Sequence, residues 1–119
     1  MHRAPLTVLA LALALVAVAA CKKTGDATGS TCPTNSTLTY DNFGKTFMTN
    51  YCTDCHSSTG SKHEPPMLDD ITSIRAAASD IDRTSAAGPN ATNDIMPEDF
   101  DVSETERRQL GEWLACGAP

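Results

Sequence analysis

Between Leu6 and Ala20 nearly every position is apolar, no charge interrupts the run, and Arg3 precedes it. A basic flank followed by an apolar stretch of this length reads as a secretory signal over residues 1–20, too short at its centre for a comfortable membrane span. The pattern then turns polar: residues 22–37 are rich in Ser, Thr and Gly and lack any large apolar side chain. That composition predicts a flexible tether over 21–37, with the folded domain over 38–119.

Within the domain the apolar positions recur at helical spacing. Tyr40, Phe43, Phe47 and Tyr51 put four aromatic rings on one side of a helix that Thr39 or Asp41 starts and that runs into Cys52. Ile71, Ile74, Ala78 and Ile81 predict a second helix from Asp69 or Asp70, ending before Ala86-Ala87-Gly88-Pro89. Ser103-Glu104-Thr105-Glu106 is a capping box for a third, with Leu110, Trp113 and Leu114 as its buried face and Gly117 at its C-terminal end. The expected fold is all-α, with about three helices and no substantial sheet. Two long segments, 57–68 and 84–102, separate them, and loops of that length are unusual in so small a domain unless they wrap something.

Composition sharpens this picture. The 119 residues leave room for one domain, and three Phe, two Tyr and one Trp make a thin core once the signal is discounted. A small polar chain of this kind needs a staple or a cofactor. The formal net charge is −6 with no basic stripe, which excludes nucleic acid as a natural ligand. Acidic residues gather in the second half, Asp94, Glu98, Asp99 and Asp101 among them, where they would steer a basic partner or simply form a solvated face.

The signal ends Val18-Ala19-Ala20-Cys21, with Lys22-Lys23 after it. Two small residues before a cysteine resemble a bacterial lipobox, implying cleavage before Cys21, a lipid on its thiol and attachment to the membrane through that anchor; an ordinary signal ending beside a free cysteine is the plainer alternative. Export with a lipid anchor implies a periplasm-facing lipoprotein of the cell envelope. Lys22 is not the aspartate that retains lipoproteins at the inner membrane, which favours the outer one.

Cys52-Thr53-Asp54-Cys55-His56 has the Cys-x-x-Cys-His spacing by which a c-type haem is attached. One turn brings both sulfurs to one face for addition to the vinyl groups, and the adjoining imidazole reaches the iron. Three other readings compete. A dithiol oxidoreductase would need a strand before Cys52, where an aromatic helix is predicted. A zinc site of Cys52, Cys55, His56 and His63 would need two adjacent residues, Cys55 and His56, to close one tetrahedron. A structural Cys52–Cys55 disulfide is sterically poor.

A second axial ligand would come from Met48, Met67, Met96 or His63. Met48 and Met67 lie close to the motif in sequence, whereas Met96, forty residues after His56, has the slack to pass around a porphyrin edge. Pro97 holds the backbone beyond it. The competing role for Met96 is to fill a gap in the core.

Over residues 40–118 the chain resembles the small monohaem class I cytochromes c. Gly44-Lys45-Thr46-Phe47-Met48 before the motif resembles that family's first helix, Met96-Pro97-Glu98-Asp99-Phe100 its ligand loop, and the segment from Ser103 to Leu114 its closing helix. Met48 departs from the pattern, standing where the family commonly has an aromatic ring. The resemblance implies a cytochrome c-like fold around one covalently bound haem c, with His56 and Met96 on the iron, and Gly44 where the first and last helices cross, near Trp113. Pro65-Pro66-Met67-Leu68 resembles the family's proline-containing strip on the histidine side. By that likeness Pro66 and Leu68 line the haem, and Pro65 or Pro66 supplies the carbonyl that accepts the His56 Nδ1 proton; a mere turn is the alternative.

The activity so implied is single-electron transfer between redox proteins, not enzymatic turnover. If Met96 does not bind, a five-coordinate haem would make a peroxidase or gas sensor; without haem, Cys52 and Cys55 would make a dithiol oxidoreductase. Cys32 and Cys116 remain once the other cysteines are assigned. In an oxidising compartment they are expected to pair, the alternative being free or intermolecular thiols.

Overall fold

The computed structural model describes residues 23–119; the signal over 1–20 and the lipidation expected at Cys21 lie outside the described residues. The described chain is all-helical. No strand forms in it, and the sole sheet-like pairing is an isolated antiparallel bridge between Ala87 and Thr92.

Thr39 opens the first helical segment. Its hydroxyl accepts from the Asn42 N–H at 3.1 Å, while its own N–H donates to Asn42 Oδ1 at 2.7 Å, a reciprocal cap. A π-helical turn, Tyr40–Gly44, passes directly into helix α1, Lys45–Tyr51. The aromatic spacing works as expected: Phe43 and Phe47 have ring centroids 5.6 Å apart, and Phe47 meets Tyr51 edge-on at 5.0 Å.

The single second helix expected from Ile71 to Ile81 is two helices. α2, Ile71–Ala76, is capped by Asp70, whose side chain accepts from the Ser73 N–H; α3 is Ala78–Ser85. Between them Ala77 leaves the helical region at φ −93°, ψ 5°, and its N–H is shared by the carbonyls of Ser73 and Ile74. This tightened turn changes the axis while Ile74, Ala77 and Ile81 all stay buried. The apolar period therefore runs through the break.

Helix α4, Glu104–Ala115, begins at the capping box of Ser103 and Glu106. It ends with Gly117 at φ +84°, the Gly117 N–H bonded to Leu114 O and the Ala118 N–H to Trp113 O, both at 2.9 Å. That pair of bonds is a Schellman closure, and the left-handed φ is why a glycine stands there. Trp113, Leu110 and Ile74 are wholly buried and form the core with Phe47, Met48 and Leu68. Gly44 lies flat against Trp113, where a Cβ would sit 2.3 Å from the ring, so its missing side chain lets the π-helical turn that leads into α1 approach α4 closely.

The tether expected over 21–37 is corrected by the packing of its described part. From Gly25 onward the segment is strapped to the domain. The Gly25 N–H bonds to Arg83 O at 2.7 Å, the Thr28 hydroxyl and N–H both donate to the Asp82 carboxylate at 2.6 and 3.0 Å, and Asn93 Nδ2 donates to Asp26 O at 2.8 Å. Thr28 is 1% exposed. Cys32 and Cys116 stand at disulfide distance with Cα atoms 4.7 Å apart. The segment lacks large apolar residues because it is held by hydrogen bonds and close backbone approach instead.

Candidate functional site

α1 delivers the motif. Its last turn closes with the Cys52 N–H on Met48 O at 2.9 Å; the Cys55 and His56 N–H groups then both reach back to Cys52 O, at 3.2 and 2.9 Å. Cys52 and His56 are thus the two ends of one tight turn. The following loop folds back over it. The Glu64 N–H donates to Cys55 O and the Leu68 N–H to His56 O, each at 2.7 Å, and Leu68 is buried there.

These ladder bonds bring the Glu64 carbonyl within 2.9 Å of His56 Nδ1. A carbonyl only accepts, so Nδ1 carries a proton, which in the neutral ring leaves the Nε2 lone pair free, the tautomer of a metal-ligating imidazole. The acceptor implied by the family likeness, Pro65 or Pro66, is therefore corrected to Glu64. A proline has no N–H with which to make the returning bond to Cys55 O, and that bond fixes the Glu64 carbonyl beside the ring. Pro66 instead sits with Met67 at a cavity of about 300 Å³ bordered by Ser73, Ala76, Ala77 and Asp80 on α2 and α3.

Both thiols of the motif are free and half-buried. Burial, reinforced by the negative charge of Cys55, pushes the Cys52 thiol up to about 12. Thiol–disulfide exchange needs a thiolate, and an active dithiol lowers that value. The zinc arrangement fails on geometry: among the described residues no three His, Cys, Asp or Glu side chains converge as metal ligands, and His63 is exposed, at φ +53°.

Met96 lies on a separate loop. Its N–H donates to Thr84 O at 2.9 Å, and its carbonyl accepts from Arg107 Nη1 at 2.8 Å. The same loop reaches α1 through Phe100, which packs edge-on against Tyr51 at 6.1 Å, one residue before Cys52. Phe100 is 46% exposed, the large apolar side chain most open to solvent in the described chain. Of the other methionines, Met48 is buried in the core and Met67 is half-buried beside Pro66. The structure thus joins Cys52, Cys55, His56 and Leu68 in one hydrogen-bonded unit and holds Met96 on another segment anchored to α3 and α4.

Glu64 and Arg107 went unread in the sequence. A main-chain acceptor leaves no trace in residue identity. Arg107 did leave one, since it stands three residues before Leu110 on the apolar side of α4, an unusual place for a charge. A further cavity of about 430 Å³, bordered by Tyr40, Lys45, Thr53, Asp54 and Asp69, lies beside the motif without including either thiol or His56. Comparison of the chain with known protein families, with curated proteins and with solved structures finds no match.

Proposed function

We propose that the protein is a single-electron carrier of the bacterial cell envelope, a lipid-anchored cytochrome c domain with one covalent haem c. The observation that carries this reading is the His56 Nδ1 bond to the Glu64 carbonyl directly after the Cys52–Cys55 pair, because in the neutral ring it makes Nε2 the ligating nitrogen at the position the attachment motif reserves for a ligand. The donor set fits the group. Two thiols at the ends of one turn suit thioether formation, the imidazole is oriented by its second nitrogen, and a thioether, Met96, is held on a loop that also touches α1.

Bound haem c supplies reversible one-electron cycling of its iron between ferrous and ferric. The chain's part is to hold and tune it. Cys52 and Cys55 would anchor it through their sulfurs, and His56 would ligate its iron. Met96 would supply the second ligand, and a neutral thioether in that role favours the ferrous state relative to a second histidine. With His56 and Met96 both bound, no coordination site would be open for a substrate, so the role would be transfer rather than turnover. Leu68 and Pro66 would lie on the histidine side. The exposed acids Asp94, Glu98, Asp99 and Asp101 favour a redox partner with a basic docking face.

The test is spectroscopic. The reduced protein should show a sharp low-spin c-type spectrum unaltered by carbon monoxide, and the oxidised form a weak near-infrared sulfur-to-iron band that Met96→Ala removes. Carbon monoxide binding to the wild type would instead indicate an open position and a peroxidase or gas sensor. A haem-free protein with two titratable thiols would indicate a dithiol oxidoreductase.

A further inference from the structure

Arg107 is 5% exposed, yet no carboxylate pairs with its guanidinium; the one ion pair among the described residues joins the neighbouring Arg108 to Glu104 on the surface. Its bonds go to main chain instead. Nη1 donates to the carbonyls of Ser85 at 2.7 Å, Asn93 at 2.9 Å and Met96 at 2.8 Å, its two hydrogens shared among three acceptors. Those carbonyls mark the end of α3, the middle of the following loop and the methionine itself. One buried cation therefore gathers three points of a loop that has no regular structure of its own.

Asn93, also buried, extends the network. Its Nδ2 donates to Asp82 O and to Asp26 O, both at 2.8 Å, and its N–H to Ala86 O at 2.9 Å. Met96 is fixed at both of its polar main-chain groups, by Thr84 O and by Arg107. A thioether is a weak, neutral ligand, so its retention on iron depends on how firmly the backbone holds it in reach. Removing the guanidinium would leave three carbonyls without their donor, a cost the loop relieves most easily by moving out to water.

We infer that Arg107 is the positioning residue for the Met96 ligand, acting through the Met96 carbonyl rather than by contact with the cofactor. This rests on the proposed Met96 ligation. Arg107 thus has a function that a core charge on α4 would not otherwise need.

The test uses the full-length holoprotein. Arg107→Met keeps the bulk and removes the donors; well below its own melting temperature it should lose most of the near-infrared sulfur-to-iron band, and its ferrous form should bind carbon monoxide. Arg107→Lys, which keeps the charge and three N–H donors, should restore much of the band. Amide exchange at Met96 should quicken in Arg107→Met. Arg75→Met is the control for a purely structural arginine, because Arg75 clamps the Ala118 carbonyl at 2.9 and 3.1 Å, away from Met96; it should lower stability and leave the band intact. If Arg107→Met unfolds, the folded Arg107→Gln, which loses the charge and cannot serve all three carbonyls, must show a weakened band or faster Met96 exchange, and a Gln variant identical to wild type in both overturns the inference. A wild type with the band and an Arg107→Met variant that retains it overturns the positioning role alone. A wild type without the band overturns Met96 ligation and the inference with it.

Discussion

Glu106 shows how much one side chain can hold in a domain with few large residues. Its carboxylate accepts from the Ser103 hydroxyl at 2.8 Å, closing the cap of α4, and from the Tyr51 hydroxyl at 3.0 Å, tying that cap to α1. The Ser103 hydroxyl, and then Tyr51, hold the carboxyl below the usual glutamate range, and the same bond keeps the Tyr51 proton on. A folded-state value below the unfolded one adds stability that is present above the unfolded value and is lost as the pH falls through the folded one. Glu106→Gln should therefore melt below wild type at neutral pH, with the gap closing through the acidic carboxylate range; a gap independent of pH would contradict this. The capping role was legible in the Ser-x-x-Glu spacing, but the bond to Tyr51, fifty-five residues away, was not. Likewise Cys52, Cys55 and His56 were legible from spacing, whereas Glu64 acts through an atom every residue carries.

At the scale of elements, the aromatic period and the capping boxes foretold where helices form, while the break at Ala77 escaped them because three successive alanines carry no stop signal. The crossing of the Gly44 turn and α4 tests whether packing outweighs propensity. Gly44→Ala gains about 1 kcal/mol of helix propensity, yet the new methyl must push aside the Trp113 ring, 2.3 Å from the Cβ position. Overpacking of a filled core costs about 1–3 kcal/mol, so the variant should be less stable in denaturant titrations. Equal or greater stability would mean that the crossing is looser than described.

Across the whole molecule, the strap from Gly25 to Ser36 turns a tether into part of the fold. Polar composition hid this, because Thr28 is buried through bonds to Asp82 rather than through apolar area. Thr28→Val keeps the volume and leaves a half-buried carboxylate short of a donor; it should cost about 1–3 kcal/mol. An unchanged melting curve would return the segment to the role of a free tether. Non-reducing peptide mapping should recover Cys32 joined to Cys116, and reduction, which opens a loop spanning 84 residues, should lower stability by on the order of 4 kcal/mol by chain entropy; alkylation of both thiols in untreated protein would contradict the pairing. The haem itself is tested most directly by the mass of the purified protein after denaturation and proteolysis. The expected result is one haem retained on the peptide containing Cys52 and Cys55, with Cys52→Ser and Cys55→Ser each reducing that product. A haem-free peptide in which both cysteines accept an alkylating agent would contradict the electron-carrier reading at its foundation.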